Sequence, residues 1–315
     1  MINTTLINIS IKNDKNMKHL VLTIALISGL QLSLTASAQQ YDQITLRVSG
    51  FVRPLVEKWA GEYQKKNPQV DFQFDGGKSQ DNADNTISIS TDAASGVTFA
   101  RYAVLPVTTR QSQADKLIGQ RRLSVHRLKS LFFTDDELDE DDDEQDEKTG
   151  QLHIITGNSQ QSASRLFAAH FHEATSNYKG KRISGDDTFL NLAISRDPLG
   201  VTVNSLSNIF DLESRQLRPT LALLPLDIDK QGRQILAEGR LDQLLQLLER
   251  ETYAEIPVGR LAFAYNRNNA LLNGFVHWLL VDGTRYVHEY GLLELPAKEL
   301  TAMQQLTAQK DLAQK

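Results

Sequence analysis

Three stretches of this sequence set small and hydroxyl-bearing residues directly ahead of a helix-forming run. Ser49-Gly50-Phe51 precedes Pro54, and Asn158-Ser159-Gln160-Gln161-Ser162 precedes Ala163. Gly76-Gly77-Lys78-Ser79-Gln80 precedes a helix expected near 81–85. A helix start exposes unpaired backbone N–H groups and about half a positive charge, which suits an anion or a polar ligand. Serine hydroxyls and a lysine add charge-assisted hydrogen bonds, and glycine lets a ligand approach the backbone. The same residue types also serve as ordinary helix caps, so each loop alone carries both readings.

A second pattern lies at Asp227-Ile-Asp229-Lys-Gln231-Gly232 with Glu238 closing it. Acids at positions 1, 3 and 12 of a twelve-residue loop, Gln at 5 and Gly at 6, form the skeleton of a calcium loop. The competing reading is a plain turn leading into the next helix, because a strand rather than a helix is expected before it. The seven histidines show no H-E-x-x-H spacing, and no G-x-S-x-G elbow, P-loop or dinucleotide fingerprint is present. No enzyme is expected from these patterns. An exported hydrolase of phosphate esters is the alternative from another class.

The elements that must hold these loops follow from periodicity. Ile44–Val48 is expected as a strand. Leu55, Val56, Trp59, Ala60 and Tyr63 then share one face of a helix that ends by Asn67-Pro68. Strands are expected over Val70–Phe74, Thr86–Ser90, Arg101–Val107, Leu152–Ile155, Gly200–Asn204, Leu221–Leu224 and Leu261–Tyr265. Helices are expected over Ala163–Phe171, burying Leu166, Phe167, His170 and Phe171, and over Asp187–Ser195, Leu241–Glu249 and Leu271–Val281. A further helical turn is expected at Arg285–Tyr290. Alternating strands and helices indicate an α/β fold.

Charge and composition exclude other classes. The 315 residues include 34 bases, 39 acids and no cysteine, for a net charge of −5. Eleven of those acids lie in Asp135–Glu147, so 34 bases face 28 acids elsewhere. That mildly basic body with one acidic loop does not form the dominant basic surface of a nucleic-acid binder. Without cysteine there is no disulfide frame, no thiolate metal site and no lipidated N-terminal cysteine. Met17-Lys18-His19, an apolar stretch Leu20–Leu34 and Ala36-Ser37-Ala38 have the layout of a cleaved export signal. Residues 1–38 are therefore expected to be removed, with Met1 or Met17 as the start.

Pro54-Leu-Val-Glu-Lys-Trp-Ala-Gly-Glu-Tyr63, following a short strand and a small-residue turn, resembles the start of the phosphate-binding subunits of phosphate ABC transporters. Gly76–Ser79 and Asn158–Ser164 stand where that family has its other ligand loops. Gly274-Phe275-Val276-His277-Trp278-Leu279-Leu280, Asp282-Gly283 and Tyr290-Gly291-Leu292-Leu293 are similar to its closing stretch. Thr156 and Gly157 stand where the family has an arginine, and Gln160-Gln161-Ser162-Ala163 replaces its G-S-G-T.

The resemblance implies a two-lobed type 2 periplasmic binding protein closing over a ligand. Lobe 1 would be residues 39–105 and 257–315, and lobe 2 residues 106–256 with the acidic loop 135–147. It further implies a monomer in the periplasm, a permease partner in the inner membrane, and phosphate or a related oxyanion as ligand. A neutral polar ligand is the competing possibility. The ligand residues it implies are Ser49, Gly50, Phe51, Lys78, Ser79, Asp92 (as acceptor of the phosphate proton), Gln161, Ser162 and Ser164. No cofactor is expected beyond a structural calcium on Asp227, Asp229, Gln231 and Glu238.

Overall fold

Ile44 and Leu46 alternate with polar neighbours, and both are buried in the first strand, β1 (Asp42–Arg47). In this computed structural model the described residues are 42–48, 50–75, 83–91, 96–134, 150–159 and 162–308. The expected export signal, the acidic run and Ser49, Lys78, Ser79, Asp92 and Gln161 lie outside them. Helix α1 (Arg53–Lys66) carries Pro54 in its first turn and buries Leu55, Val56, Trp59 and Ala60. Lys65 and Lys66 in its last turn complement the negative end of the dipole. Strands β2 (Val70–Asp75), β3 (Thr86–Ser90) and β4 (Val97–Thr109) follow, then α2 (Gln113–Ile118) and α3 (Val125–Phe132).

The middle of the chain holds β5 (His153–Gly157), α4 (Ala163–His170), β6 (Lys181–Ile183), α5 (Thr188–Ser195) and β7 (Gly200–Ser205). A short helix α6 (Leu206–Ile209), a two-stranded hairpin of β8 (Phe210–Asp211) and β9 (Gln216–Leu217), and β10 (Leu221–Leu223) come next. Helices α7 (Lys230–Glu238) and α8 (Leu241–Arg250), strand β11 (Val258–Tyr265), and helices α9 (Ala270–Trp278) and α10 (Ala297–Ala308) complete the chain. Five leucines of α8 (241, 244, 245, 247 and 248) are buried, as the apolar stripe predicts.

All strands but the hairpin join one nine-stranded sheet in the order β2-β1-β3-β11-β4-β7-β5-β6, with β10 also on β4. The pairing pattern repeats. On one side β4, β11 and β3 run antiparallel in turn, while β3, β1 and β2 are parallel. On the other side β10, β4 and β7 run antiparallel in turn, while β7, β5 and β6 are parallel. Strand β4 serves both halves: residues 97–103 pair with β11, and residues 104–109 pair with β7 and β10. Each half has its own aromatic core. Trp59, Phe99 and Phe263 pack in the first, with Phe99 and Phe263 stacked at 4.2 Å. Phe132, Phe133, Phe167, Phe171 and Tyr178 pack in the second.

Several expectations shift. Strand β4 runs from Val97 to Thr109 rather than over Arg101–Val107, because it must reach partners in both halves. The helix expected over Leu271–Val281 ends at Trp278, and the backbone widens into a single turn at Leu279–Gly283. That turn delivers the Gly283 carbonyl to the Trp59 indole N–H at 2.8 Å. Leu166 and His170 are half-buried instead of buried. Leu166 leans toward Gly259 of β11, and His170 Nε2 donates to the Ala254 carbonyl at 2.8 Å. Among the described residues no helix is long and apolar enough to cross a membrane.

Candidate functional site

The parallel strands of both halves end at loops that face one another where β4 crosses between them. This is where open α/β sheets place ligands. In the first half β1 is followed by a tight helical turn at Gly50–Val52, which runs directly into α1. Gly50 takes a φ of +65°, a conformation that other residues adopt only with strain. Val52 stands at the cap position of α1 and offers no side-chain acceptor, and the first turn holds no acid. The α1 start therefore carries neither a side-chain cap nor a carboxylate of its own helix.

The second half differs. The segment 157–159 after β5 and the segment 184–187 after β6 are tied together by Asn158 Nδ2 donating to Ser184 Oγ at 2.9 Å. Asp187 stands just ahead of α5, yet its carboxylate reaches the start of α4. It accepts the Ala163 N–H at 2.6 Å and the Ser162 hydroxyl at 2.8 Å. Ser162 Oγ accepts the Ser164 N–H at 3.2 Å, and Ser164 Oγ accepts the Gly157 N–H at 3.0 Å. Asp187 is only 5% exposed, and no basic side chain pairs with it among the described residues. Burial pushes its carboxyl above the ordinary range; the hydrogen bonds from Ala163 and Ser162 pull the other way, and the neighbouring Asp186 adds to the rise. A side chain at position 157 has no room, since a Cβ there would lie 2.6 Å from Asp187 Oδ1 and also overlap Ser162 Oγ.

The two halves meet at close range. A Cβ on Gly50 would sit 3.6 Å from Asp186 Oδ2, and one on Gly259 would press on Tyr102 and on Leu166 of α4. Phe51 packs against Tyr102 of the crossing strand at 5.1 Å between ring centroids. Burial pushes the Tyr102 phenol well above its ordinary value, and the Asp187 charge adds to this. Tyr102 thus remains neutral and forms the floor between the two loops.

Of the residues expected to bind ligand, Gly50 and Phe51 stand at the first loop, while Ser162 and Ser164 lie in the second. Both serine hydroxyls are buried and engaged within the protein. The expected calcium ligands are not brought together. Asp229 caps α7, accepting the Gly232 N–H at 2.7 Å and the Tyr253 hydroxyl at 2.6 Å. A helix fills the rest of the expected loop, so Glu238 sits at its far end, about 13 Å away at 1.5 Å per residue. Among the described residues no three His, Asp or Glu side chains gather where a metal could sit.

The sequence reading missed Asp187, Gly157 and Tyr102. Asp186-Asp187 ahead of an apolar helix was the available signal, but it reads as an ordinary helix start. Its destination on a different helix is a tertiary fact.

No known family model and no curated protein matches this sequence. Solved structures do. One is a phosphate ABC transporter substrate-binding protein from Clostridium perfringens with bound phosphate: 11% identical, covering 81% of this chain and 100% of that one, TM-score 0.56. Another is an ABC-type phosphate transport receptor from Vibrio cholerae: 13% identical, covering 80% and 100%, TM-score 0.50. This chain therefore has the two-lobed α/β fold of periplasmic binding proteins, as the residue-level resemblance implied.

Proposed function

We propose that this chain is the exported solute-binding component of an ABC-type uptake system, taking phosphate or a related oxyanion between its two lobes. The observation that carries the reading is the repeated pairing pattern around the shared strand β4, which sets loops of both halves face to face. The same fold holds phosphate in the Clostridium perfringens protein. On this reading lobe 1 is residues 39–105 and 257–315, and lobe 2 is residues 106–256, so β4 and the approach to β11 are the hinge. Ser49, Gly50 and Phe51 offer the anion donors at the open α1 start. Lys78 and Ser79 supply the cation and a hydroxyl, Asp92 accepts the phosphate proton, and Gln161 adds a polar contact. Ser162 and Ser164 build the opposite wall.

The mechanism is closure without covalent chemistry. A ligand that touches both lobes favours the closed state by its difference in affinity for the two states. The closed form is what a membrane permease would read. Residues 1–38 direct the chain to the periplasm, and the protein works there as a monomer. Isothermal titration calorimetry with phosphate, sulfate and a neutral sugar tests the ligand class. Heat with an oxyanion and none with the sugar is expected; the reverse overturns the oxyanion reading. Turnover of a phosphate ester by purified protein would replace binding with catalysis.

A further inference from the structure

The start of α4 already carries an anion, and it belongs to the protein. Asp187 comes from the neighbouring helix start, is 5% exposed, and accepts both the Ala163 N–H and the Ser162 hydroxyl. The surroundings are built to admit it. Gly157 leaves the space that a side chain would take from its Oδ1. Asn204 Nδ2 holds the Asp187 carbonyl at 2.8 Å, which fixes the backbone from which the carboxylate reaches across. With no basic side chain paired to it among the described residues, its charge is offset by helix dipole and hydrogen bonds alone. Asp186, whose Oδ2 faces Gly50 across the cleft, adds a second acid to the same wall.

We infer that Asp187 is a specificity-determining residue: its carboxylate is the resident occupant of the α4 start and keeps this side of the cleft from gripping a free oxyanion. The inference rests on the oxyanion reading above and deepens it. The incoming anion is held from the α1 side and meets a fixed negative charge opposite. A fixed negative charge close to a bound anion repels it strongly in a partly buried setting. The wild-type protein therefore binds oxyanions weakly, and removing the charge opens a second set of donors.

Calorimetric titration of the full chain with sulfate and with phosphate at about pH 8 tests this, comparing wild type with Asp187→Asn. The variant is expected to bind both anions at least about tenfold more tightly. If wild type binds and Asp187→Asn binds no better, the inference fails and the oxyanion reading stands. If neither protein binds either anion, the oxyanion reading fails and the inference falls with it. If only the variant binds, Asp187 is a complete block.

Should Asp187→Asn not fold, Asp187→Ala, which also removes the charge, takes its place with the same expected gain; anion affinities no tighter than those of wild type overturn the inference.

Discussion

The two helix starts that face the cleft are built in opposite ways. Helix α1 begins at a valine that offers no cap, after a glycine at positive φ, with no acid in its first turn. Helix α4 begins at Ser162 with a buried carboxylate from another helix on its first N–H. The strand pairing around them is the same in both halves, so the difference is not in the scaffold. It lies in which residues fill the two loops. One start carries neither a side-chain cap nor an acid of its own; the other has its first N–H taken by a carboxylate. A repeated fold can thus be asymmetric in chemistry, and on the proposed oxyanion reading that asymmetry sets which side of the cleft meets the anion.

Breaking the closed side should have the largest effect. Gly157→Ala forces a methyl against Asp187 and Ser162, and such overpacking typically destabilises by about 1–3 kcal/mol. Urea unfolding should show a loss near the upper end of that range. A fully stable variant would mean that the carboxylate is not locked in place. On the open side, Gly50→Ala has room, since its nearest neighbour is 3.6 Å away, so the penalty comes from the φ of +65°. About 1–2 kcal/mol is expected, together with weaker phosphate binding, because the loop moves to relieve the strain. Unchanged binding would take the first loop out of the ligand site.

A smaller change sharpens the comparison. Ser162→Ala removes one cap and one donor to Asp187, which should destabilise by about 1 kcal/mol in thermal unfolding. The smallest effect concerns how the C-terminal segment is tied to the second half. His288 Nε2 meets Glu249 Oε1 at 2.7 Å, linking the turn at His288–Tyr290 to α8. The hydrogen bond from Glu249 raises the His288 pKa, against the effect of burial. Burial pushes the Glu249 carboxyl up, but the His288 bond and the Glu294 N–H outweigh it and leave it below its ordinary value.

The signs follow from these shifts. The histidine's stabilisation is fully present below its unfolded pKa near 6.5 and fades as pH rises through the raised folded value. The carboxylate's is present above its unfolded value and fades as pH falls through the lowered one. His288→Gln should therefore lower stability most between about pH 4.5 and 6.5, by up to about 1 kcal/mol for a partly exposed pair. A difference from wild type that is the same at all pH values would show packing instead of charge.

Much of the scaffold was legible. Ile44 and Leu46 alternate as a strand must, Trp59 and its partners recur at helical spacing, and the α8 leucines mark its buried face without ambiguity. Strand β4 was legible only in part, because Val97–Thr109 is buried along nearly its whole length, without a two-residue alternation, and contains Pro106. Nothing in its pattern says that one end pairs with β11 and the other with β7. The candidate site was legible in its first loop, where Gly50 and Pro54 announce a turn and a helix start. The Asp227 pattern misled, because three acids at the right spacing say nothing about backbone path, and a helix from Lys230 onward separates them.

The amino-acid sequence by itself determined the elements and their buried faces, since periodicity and turn chemistry act between residues close along the chain. It also determined the uneven charge and the export-signal layout of the first 38 residues. The tertiary structure alone decided that two halves share one strand, and that Asp187 sits on a helix beginning 24 residues earlier in the chain. A carboxylate's partner is set by where distant loops come together in space. No local spacing encodes that.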